Sequence, residues 1–244
     1  MRRGRDMFIP ISDDNALKHL PFQYVTVGLV GANVAVFLLL LGGSGVEAAA
    51  VSYGVIPAVF LDGAVLPPDY AAVPLPFTLI TYQFLHAGWL HLLSNMAFLW
   101  VFGDNIEDAM GHMRFLVFYL LCGVAGALAH GFIDPQSTVP LVGASGSVAG
   151  IIAAYLVLHP RVKVWVLVLW RVPLRLTAMW VLGFWVVLQF VMVVIPFDDG
   201  VAWWAHIGGL LAGAGLVVVM RRPDVPLFDR GLVVAPQPHQ GRRR

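Results

Sequence analysis

Six long apolar runs, separated by short segments, constrain the fold of this chain more than any other feature of its sequence. The runs cover about residues 24–42, 84–103, 115–133, 141–158, 176–195 and 201–220. Each reaches or approaches the roughly 20 residues that an α-helix needs to cross a bilayer. Only 12% of the residues are charged, whereas soluble domains carry about a quarter. The sequence therefore predicts an all-α integral membrane protein built as a six-helix transmembrane bundle.

The segments outside these runs predict one membrane domain with two tails. We expect an N-terminal segment over residues 1–23, a membrane domain over 24–220 and a basic, Pro-rich, disordered tail over 221–244. The loop 43–83 is too apolar and too rich in Pro and Gly to be fully solvated, so we expect it to lie partly in the membrane against the bundle. The short stretch Val164 to Trp170 predicts an interfacial connector. No cleavable signal peptide is expected, because the first apolar run follows a polar stretch.

Basic residues are distributed asymmetrically around the six runs. With six spans and a cytoplasmic N-terminus, all 15 Lys and Arg residues fall on the inner side. The outer segments 43–83, 134–140 and 196–200 contain acidic residues and no Lys or Arg. Because Lys and Arg accumulate in cytoplasmic loops, this pattern predicts that both termini are cytoplasmic.

Polar side chains inside the spans are candidates for function, because polar groups in hydrocarbon are costly. His91, Ser145 and His206 lie near the outer ends of spans 2, 4 and 6, at a common depth of roughly 6–12 Å for a rise of 1.5 Å per residue. Asn95 lies four residues after His91 and shares its helix face. His86 is a weaker candidate. The other polar side chains are interpreted as packing residues, namely Gln189, His130, His112, His159 and Cys122.

Glycines predict which helix faces meet. Five are expected to pack helices, namely Gly143, Gly146, Gly150, Gly209 and Gly213. In spans 4 and 6 they recur at a four-residue spacing, a pattern of small residues that lets helix backbones approach closely. We therefore expect spans 4 and 6 to pack tightly, with His206 one turn before Gly209 and facing Ser145.

The polar residues at this depth are of the types that acyl transfer requires. A Ser hydroxyl becomes a nucleophile when a general base takes its proton, and His is the usual base at neutral pH. Ser145 and His206 supply that pair, whereas Ser147 lies about 200° around the helix from Ser145 and points away. His91, Asn95 and the backbone N–H of Ser145, at a helix N-terminus, are candidate donors to the developing oxyanion.

Other uses of these residues fit the sequence less well. The sequence has neither an H-E-x-x-H motif nor carboxylates on these helix faces, which disfavours a metal site. We therefore expect no metal and no cofactor. The order Gly-Ala-Ser-Gly-Ser over residues 143–147 differs from the G-x-S-x-G motif of α/β hydrolases, and no strand precedes it. A transporter would need polar groups that continue to the inner side, and the spans offer almost none there.

Three short motifs contain these residues, namely Gly143-Ala144-Ser145-Gly146, His91-Leu92-Leu93-Ser94-Asn95 and Ala205-His206-Ile207-Gly208-Gly209. Together they resemble the motifs of the rhomboid intramembrane serine proteases of the basic six-helix bacterial type. The resemblance covers roughly residues 20–220. It implies a dyad of Ser145 and His206 without an acid, and an oxyanion site formed by His91, Asn95 and the Ser145 amide. Asp198 and Asp199 are interpreted as part of a solvated outer loop.

The resemblance also implies a substrate class and a location. The expected partners are single-pass membrane proteins, cut in or near their transmembrane helix, together with membrane lipid, and no nucleic acid. The expected location is a bacterial cytoplasmic membrane, with the site opening to its outer face. The alternative function is not enzymatic: a catalytically silent rhomboid-fold binding protein or membrane chaperone.

The sequence departs from the family pattern at one position. Many relatives have an aromatic residue four positions after the nucleophile, where it packs against the catalytic His, and this chain has Ala149 there. Support for His206 must then come from elsewhere, and the candidates are Trp203, Trp204 and span 2.

Overall fold

A computed structural model describes residues 8–42, 45–168, 171–195 and 200–229 of the chain. Its α-helices are α1 (Tyr24–Gly42), α2 (Val46–Tyr53), α3 (Pro57–Leu61), α4 (Thr78–Thr81), α5 (Trp89–Met110), α6 (His112–Ile133), α7 (Ser145–Leu158), α8 (Ala178–Val194) and α9 (Trp203–Met220). The strands are β1 (Phe8–Asp13), β2 (Lys163–Val168) and β3 (Val172–Thr177). The protein is therefore mostly helical, with one small sheet that an all-α prediction missed.

The helices differ in whether they could cross a membrane alone. Among the described residues, α1, α6 and α9 are long and apolar enough to do so. The apolar helices α7 and α8 are shorter, with 14 and 17 residues. At 1.5 Å per residue α7 is only about 21 Å long. It is buried along most of its length, between α5, α6 and α9, so it packs against protein on all sides, as expected for a helix that is apolar all round.

Carboxylates near the end of α5 hold the segment that leads into α1. Glu107 accepts hydrogen bonds from the backbone N–H groups of Val25 (3.0 Å) and Thr26 (2.8 Å), at the start of α1. Asp108 accepts hydrogen bonds from the N–H groups of residues 18–20. A carboxylate satisfies the unpaired N–H groups of a helix N-terminus and interacts favourably with its dipole. These contacts explain why acidic residues lie buried at this end of the bundle.

The predicted close packing of spans 4 and 6 is observed between α7 and α9. A Cβ atom added to Gly209 would overlap the carbonyl oxygen of Gly146, and one added to Gly213 would overlap that of Gly150. A Cβ added to Gly126 of α6 would lie 2.7 Å from the carbonyl oxygen of Ala205. The backbones of α6, α7 and α9 therefore meet with no room for a side chain between them.

Gly143 has a different role from the one predicted. It precedes α7 rather than lying in a helix, and its φ of +123° belongs to a region that favours glycine. A Cβ added there would lie 2.6 Å from Nε2 of His91. Gly143 therefore lets the chain turn into α7 beside the His91 ring, and it does not pack two helices together.

Gly209→Ala is expected to lower the free energy of unfolding by about 1–3 kcal/mol, the usual range for overpacking. The added methyl would force α9 away from α7. Gly215→Ala in the same helix is the matched control, because a Cβ at Gly215 meets nothing within 4 Å. It should be neutral, or stabilising by up to about 1 kcal/mol through helix propensity. Thermal unfolding of both variants in one detergent measures the difference, and equal stabilities would contradict this packing argument.

The first loop packs against the bundle, as expected. The Tyr82 hydroxyl donates a 2.6 Å hydrogen bond to the carbonyl oxygen of Gly123 in α6. Gln83 donates to the carbonyl oxygens of Leu79 (2.8 Å) and Leu120 (3.3 Å). Tyr82, Gln83 and His86 are all buried. The end of the loop is thus held inside the bundle beside α6.

The predicted connector after span 4 is a strand of an antiparallel sheet. β2 pairs on one side with β1, where Asp13 lies opposite Val164, and on the other with β3, where Lys163 lies opposite Thr177. Tyr155 of α7 and Asn105 of α5 both donate hydrogen bonds to the Asp13 carboxylate. The sheet is therefore attached near the C-terminal ends of α5 and α7, the ends opposite Ser145.

The Asp13 carboxyl should make stability depend on pH. Burial raises its pKa to about 6 from an ordinary 3.8. Stability from this group is therefore fully present below pH 3.8 and is lost as the pH rises through about 6. Asp13→Asn should reduce the difference in unfolding temperature between about pH 4.5 and about pH 7.5, which lie on either side of the raised pKa. An unchanged difference in the variant would contradict the assignment to Asp13.

The predicted tail begins as an ordered segment. The N–H of Arg222 donates to the carbonyl oxygen of Ala109 (2.8 Å), and those of Phe228 and Asp229 donate to the end of α7. Residues 221–229 therefore lie against the bundle, and the expected disorder does not apply to them. Residues 230–244 lie outside the described part of the chain.

Candidate active site

The first turns of α5, α7 and α9 bring together the residues that the sequence singled out. His91 is the third residue of α5, Ser145 the first of α7 and His206 the fourth of α9. Gly143 lies against the His91 ring, and Gly146 lies against Gly209 and Ala205. Ser145 thus sits between the ends of the helices that carry the two His residues.

The helices begin later than the apolar runs. The predicted runs begin near residues 84, 141 and 201, whereas α5, α7 and α9 begin at Trp89, Ser145 and Trp203. The intervening residues are mostly apolar and are not α-helical, and Leu141 pairs with Val55 instead. His91, Ser145 and His206 therefore lie at about the first turn of each helix, rather than up to eight residues along it, and Asn95 lies one turn after His91.

Ser145 lies at the N-terminus of α7, as the oxyanion hypothesis requires. The first hydrogen bond of the helix joins the N–H of Val148 to the carbonyl oxygen of Ala144 (2.9 Å). The N–H groups of residues 145–147 precede this bond, so they have no partner within the helix. The Ser145 side chain is half-buried. A side-chain hydroxyl and a backbone donor are thus available at one residue.

The Ser147 hydroxyl points elsewhere, as predicted. It is buried and donates a 3.0 Å hydrogen bond to Oε1 of Gln83 in the first loop. Ser147 therefore helps to hold the loop and does not share a partner with Ser145.

Buried His206 is supported mainly by α8, which sequence reasoning missed. Its Nδ1 lies 2.7 Å from Oε1 of Gln189. The ring of Trp185 lies 5.8 Å from the His206 ring at an interplanar angle of 34°. Trp203, one of the predicted candidates, packs edge-on at 5.7 Å and 88°. Gln189, interpreted from the sequence as a packing residue, therefore contacts a candidate site residue, and a buried amide in an apolar helix was the sequence signal that could have drawn attention to it.

His91 and Asn95 lie at this level with different environments. The N–H of Ala87 donates a long hydrogen bond of 3.4 Å to Nδ1 of His91, which leaves Nε2 as the protonated nitrogen, directed towards Gly143. Nδ2 of Asn95 donates to the carbonyl oxygen of His91 (2.9 Å). His91 therefore presents a donor near the Ser145 turn, whereas Asn95 donates within its own helix.

His86 packs against the ring of His91. It is fully buried, and its ring packs edge-on against that of His91 at a centroid distance of 5.0 Å. Within the described part of the chain, neither ring nitrogen has a hydrogen-bond partner. His86, a weaker candidate in the sequence, therefore contacts the candidate site residue His91.

The expectation that no Asp completes a triad concerns residues outside the described part of the chain. Asp198 and Asp199 both belong to residues 196–199, which the structure does not describe, so the absence of an acid beside His206 stays a prediction.

Comparison with known proteins identifies the family. The profile of the Rhomboid domain matches residues 75–223, which include every site residue described above. The chain belongs to the rhomboid family. The predicted family is therefore confirmed, and this rhomboid is an integral membrane protein.

The curated relatives include named proteases and rhomboid-like proteins. The chain is 33% identical over 145 residues to RHOMBOID-like protein 5 of Arabidopsis thaliana, covering 59% of this chain and 44% of that protein. It is 30% identical over 160 residues to Rhomboid protease GluP of Bacillus subtilis (64% and 28%). It is 29% identical over 177 residues to Rhomboid-like protease 3 of Toxoplasma gondii (71% and 63%). The alignments span less than two thirds of each of these relatives.

Proposed function

We propose that this rhomboid is an intramembrane serine endopeptidase in which Ser145 is the nucleophile and His206 the general base. The observation that carries the proposal is the contact of Gly146 with Gly209 and Ala205, which sets the start of α7 against the first turn of α9. Nδ1 of His206 is occupied by Gln189, which leaves Nε2 to accept the proton of the Ser145 hydroxyl. A Ser and a His so arranged form the minimal activated nucleophile.

The reaction has two stages. In the first, Oγ of Ser145 attacks the scissile carbonyl carbon while its proton passes to Nε2 of His206, and the carbonyl oxygen becomes an oxyanion. The Ser145 N–H, Nε2–H of His91 and the Asn95 amide are the proposed donors to that oxyanion. The C–N bond then breaks, and the leaving amine takes the proton from His206. In the second stage, a water molecule activated by His206 hydrolyses the acyl-enzyme.

The proposed substrates are single-pass membrane proteins cleaved in or near their transmembrane helix. The site lies at the ends of helices within a membrane-embedded bundle, so a polypeptide would reach it from the bilayer or its interface. We propose six spans, with both termini on the side that carries the Lys and Arg residues and the site opening to the other side. The proposed location is a bacterial cytoplasmic membrane, in line with the similarity to a protease of Bacillus subtilis.

A non-catalytic rhomboid-fold binding protein is the alternative, and it is disfavoured because the chain has both Ser145 and His206. The test is cleavage of a single-pass substrate reconstituted with the protein in liposomes. Fragments that appear with the wild-type protein but not with Ser145→Ala are expected. Binding of the substrate without fragments would favour the alternative.

A further inference from the structure

Gln189 stands out in an otherwise apolar helix. It is 1% exposed, in the second half of α8, whose other residues are all apolar. Burying an amide costs free energy unless its hydrogen-bonding groups are satisfied. The contacts of both ends of this amide therefore indicate what it does.

The hydrogen bonds of Gln189 define its orientation. Nε2 donates to the carbonyl oxygen of Trp185 at 2.9 Å, and a carbonyl oxygen can only accept. Oε1 is therefore the atom that faces Nδ1 of His206, at 2.7 Å. Because Oε1 is an acceptor, Nδ1 must carry a proton. In the neutral imidazole the lone pair is then on Nε2, the nitrogen that a general base needs.

Ala149 belongs to the buried cluster on which Trp185 packs. The cluster also contains Ala153, Ile207 and Leu210. Trp185 then lies over the His206 ring. Residues one turn apart on α8 thus contact His206 in two ways, Trp185 by packing and Gln189 by a hydrogen bond.

We propose that Gln189 is a positioning residue that holds His206 in the Nδ1–H tautomer, with the lone pair of Nε2 directed towards Ser145. The proposal rests on the proposed protease function, in which His206 is the base. Gln189 acts through His206 and does not touch the substrate. It takes the orienting position that an acid occupies in a Ser-His-Asp triad, but it is neutral.

Three variants test the role of Gln189. Gln189→Met keeps the length of the side chain and removes the acceptor, whereas Gln189→Glu keeps an acceptor. Asn33→Leu is the matched control, because Asn33 in α1 is also buried and donates to the carbonyl oxygen four residues before it (2.8 Å). It removes a buried amide from a membrane helix away from His206.

Kinetics and the tautomer of His206 are the two measurements. Gln189→Met should lower kcat by about 10- to 100-fold with little change in KM, less than the ~10⁴-fold loss that follows removal of an ionised orienting carboxylate. Gln189→Glu should recover kcat to within about tenfold of wild type, and Asn33→Leu should keep kcat. NMR of ¹⁵N-labelled histidine should show Nδ1–H for His206 in the wild type and a mixture of tautomers in Gln189→Met, with the signal assigned by its loss in His206→Ala.

The outcomes separate this proposal from the proposed function. A wild-type kcat or an unchanged tautomer in Gln189→Met would overturn the positioning role, as would an equal loss of kcat in Asn33→Leu. If the wild-type protein cleaves nothing, the protease function fails. The NMR result then still decides whether Gln189 fixes the tautomer of His206.

Discussion

Replacing Ser145 with Ala, or His206 with Ala, is expected to reduce cleavage of a model transmembrane substrate by about 10⁴-fold or more. Without Ser145 there is no oxygen to form the acyl-enzyme, and without His206 no base takes the Ser145 proton. Members of a catalytic unit act together, so the double variant should be no slower than either single variant by more than a small factor. Initial rates in liposomes, at a matched protein-to-lipid ratio, measure the effect.

Ser147→Ala is the matched control for the dyad. It removes a hydroxyl two residues from Ser145, but that hydroxyl donates to Gln83, so most activity should remain. Unfolding temperatures of all variants show whether a lost activity reflects lost folding. Turnover by Ser145→Ala or His206→Ala at a rate comparable to that of Ser147→Ala would contradict the assignment of Ser145 and His206 as a catalytic dyad.

Replacing His91 or Asn95 with Ala is expected to lower kcat by about tenfold to a thousandfold, with little change in KM. Donors to an oxyanion act on charge that develops only in the transition state, so they contribute little to binding of the ground state. His91 should show at least as large an effect as Asn95, because its Nε2 is directed towards the turn before Ser145. Steady-state kinetics of both variants with one substrate measures kcat and KM separately.

A purely structural role makes a different prediction for Asn95. Its amide donates to the carbonyl oxygen of His91 within the same helix (2.9 Å), and hydrogen bonds between polar side chains inside membranes are worth about 0.6 kcal/mol on average. If that bond is its whole contribution, Asn95→Ala would unfold at a slightly lower temperature and keep a normal kcat. The oxyanion role instead requires the amide to turn to the substrate when the oxyanion forms.

The helix contacts and the level of the site could be predicted because they depend on local spacing. Glycines four residues apart in α7 and α9 must lie on one face of each helix, and the structure places these faces together. The level shared by His91, Ser145 and His206 follows from counting along three apolar runs. The exact helix starts could not be predicted, because residues 141–144 are as apolar as the helix that follows them.

The sheet and the role of Gln189 depend on contacts between distant segments. Strand β2 alternates in sequence, but its partner β1 lies about 150 residues earlier, and no local pattern pairs Pro10 with Val166. Similarly, hydropathy predicts that α8 and α9 are adjacent spans but not how α8 is rotated. That rotation decides whether Gln189 faces lipid, another helix or His206.

The most direct test of the central claim is labelling of the protein in its membrane with a fluorophosphonate probe. Such a probe phosphonylates a Ser hydroxyl only where a base has activated it. A dyad of Ser145 and His206 predicts one adduct, located on Ser145 by mass spectrometry, that is absent from both Ser145→Ala and His206→Ala. Folded wild-type protein that is not labelled, or labelling that persists in Ser145→Ala, would contradict the account.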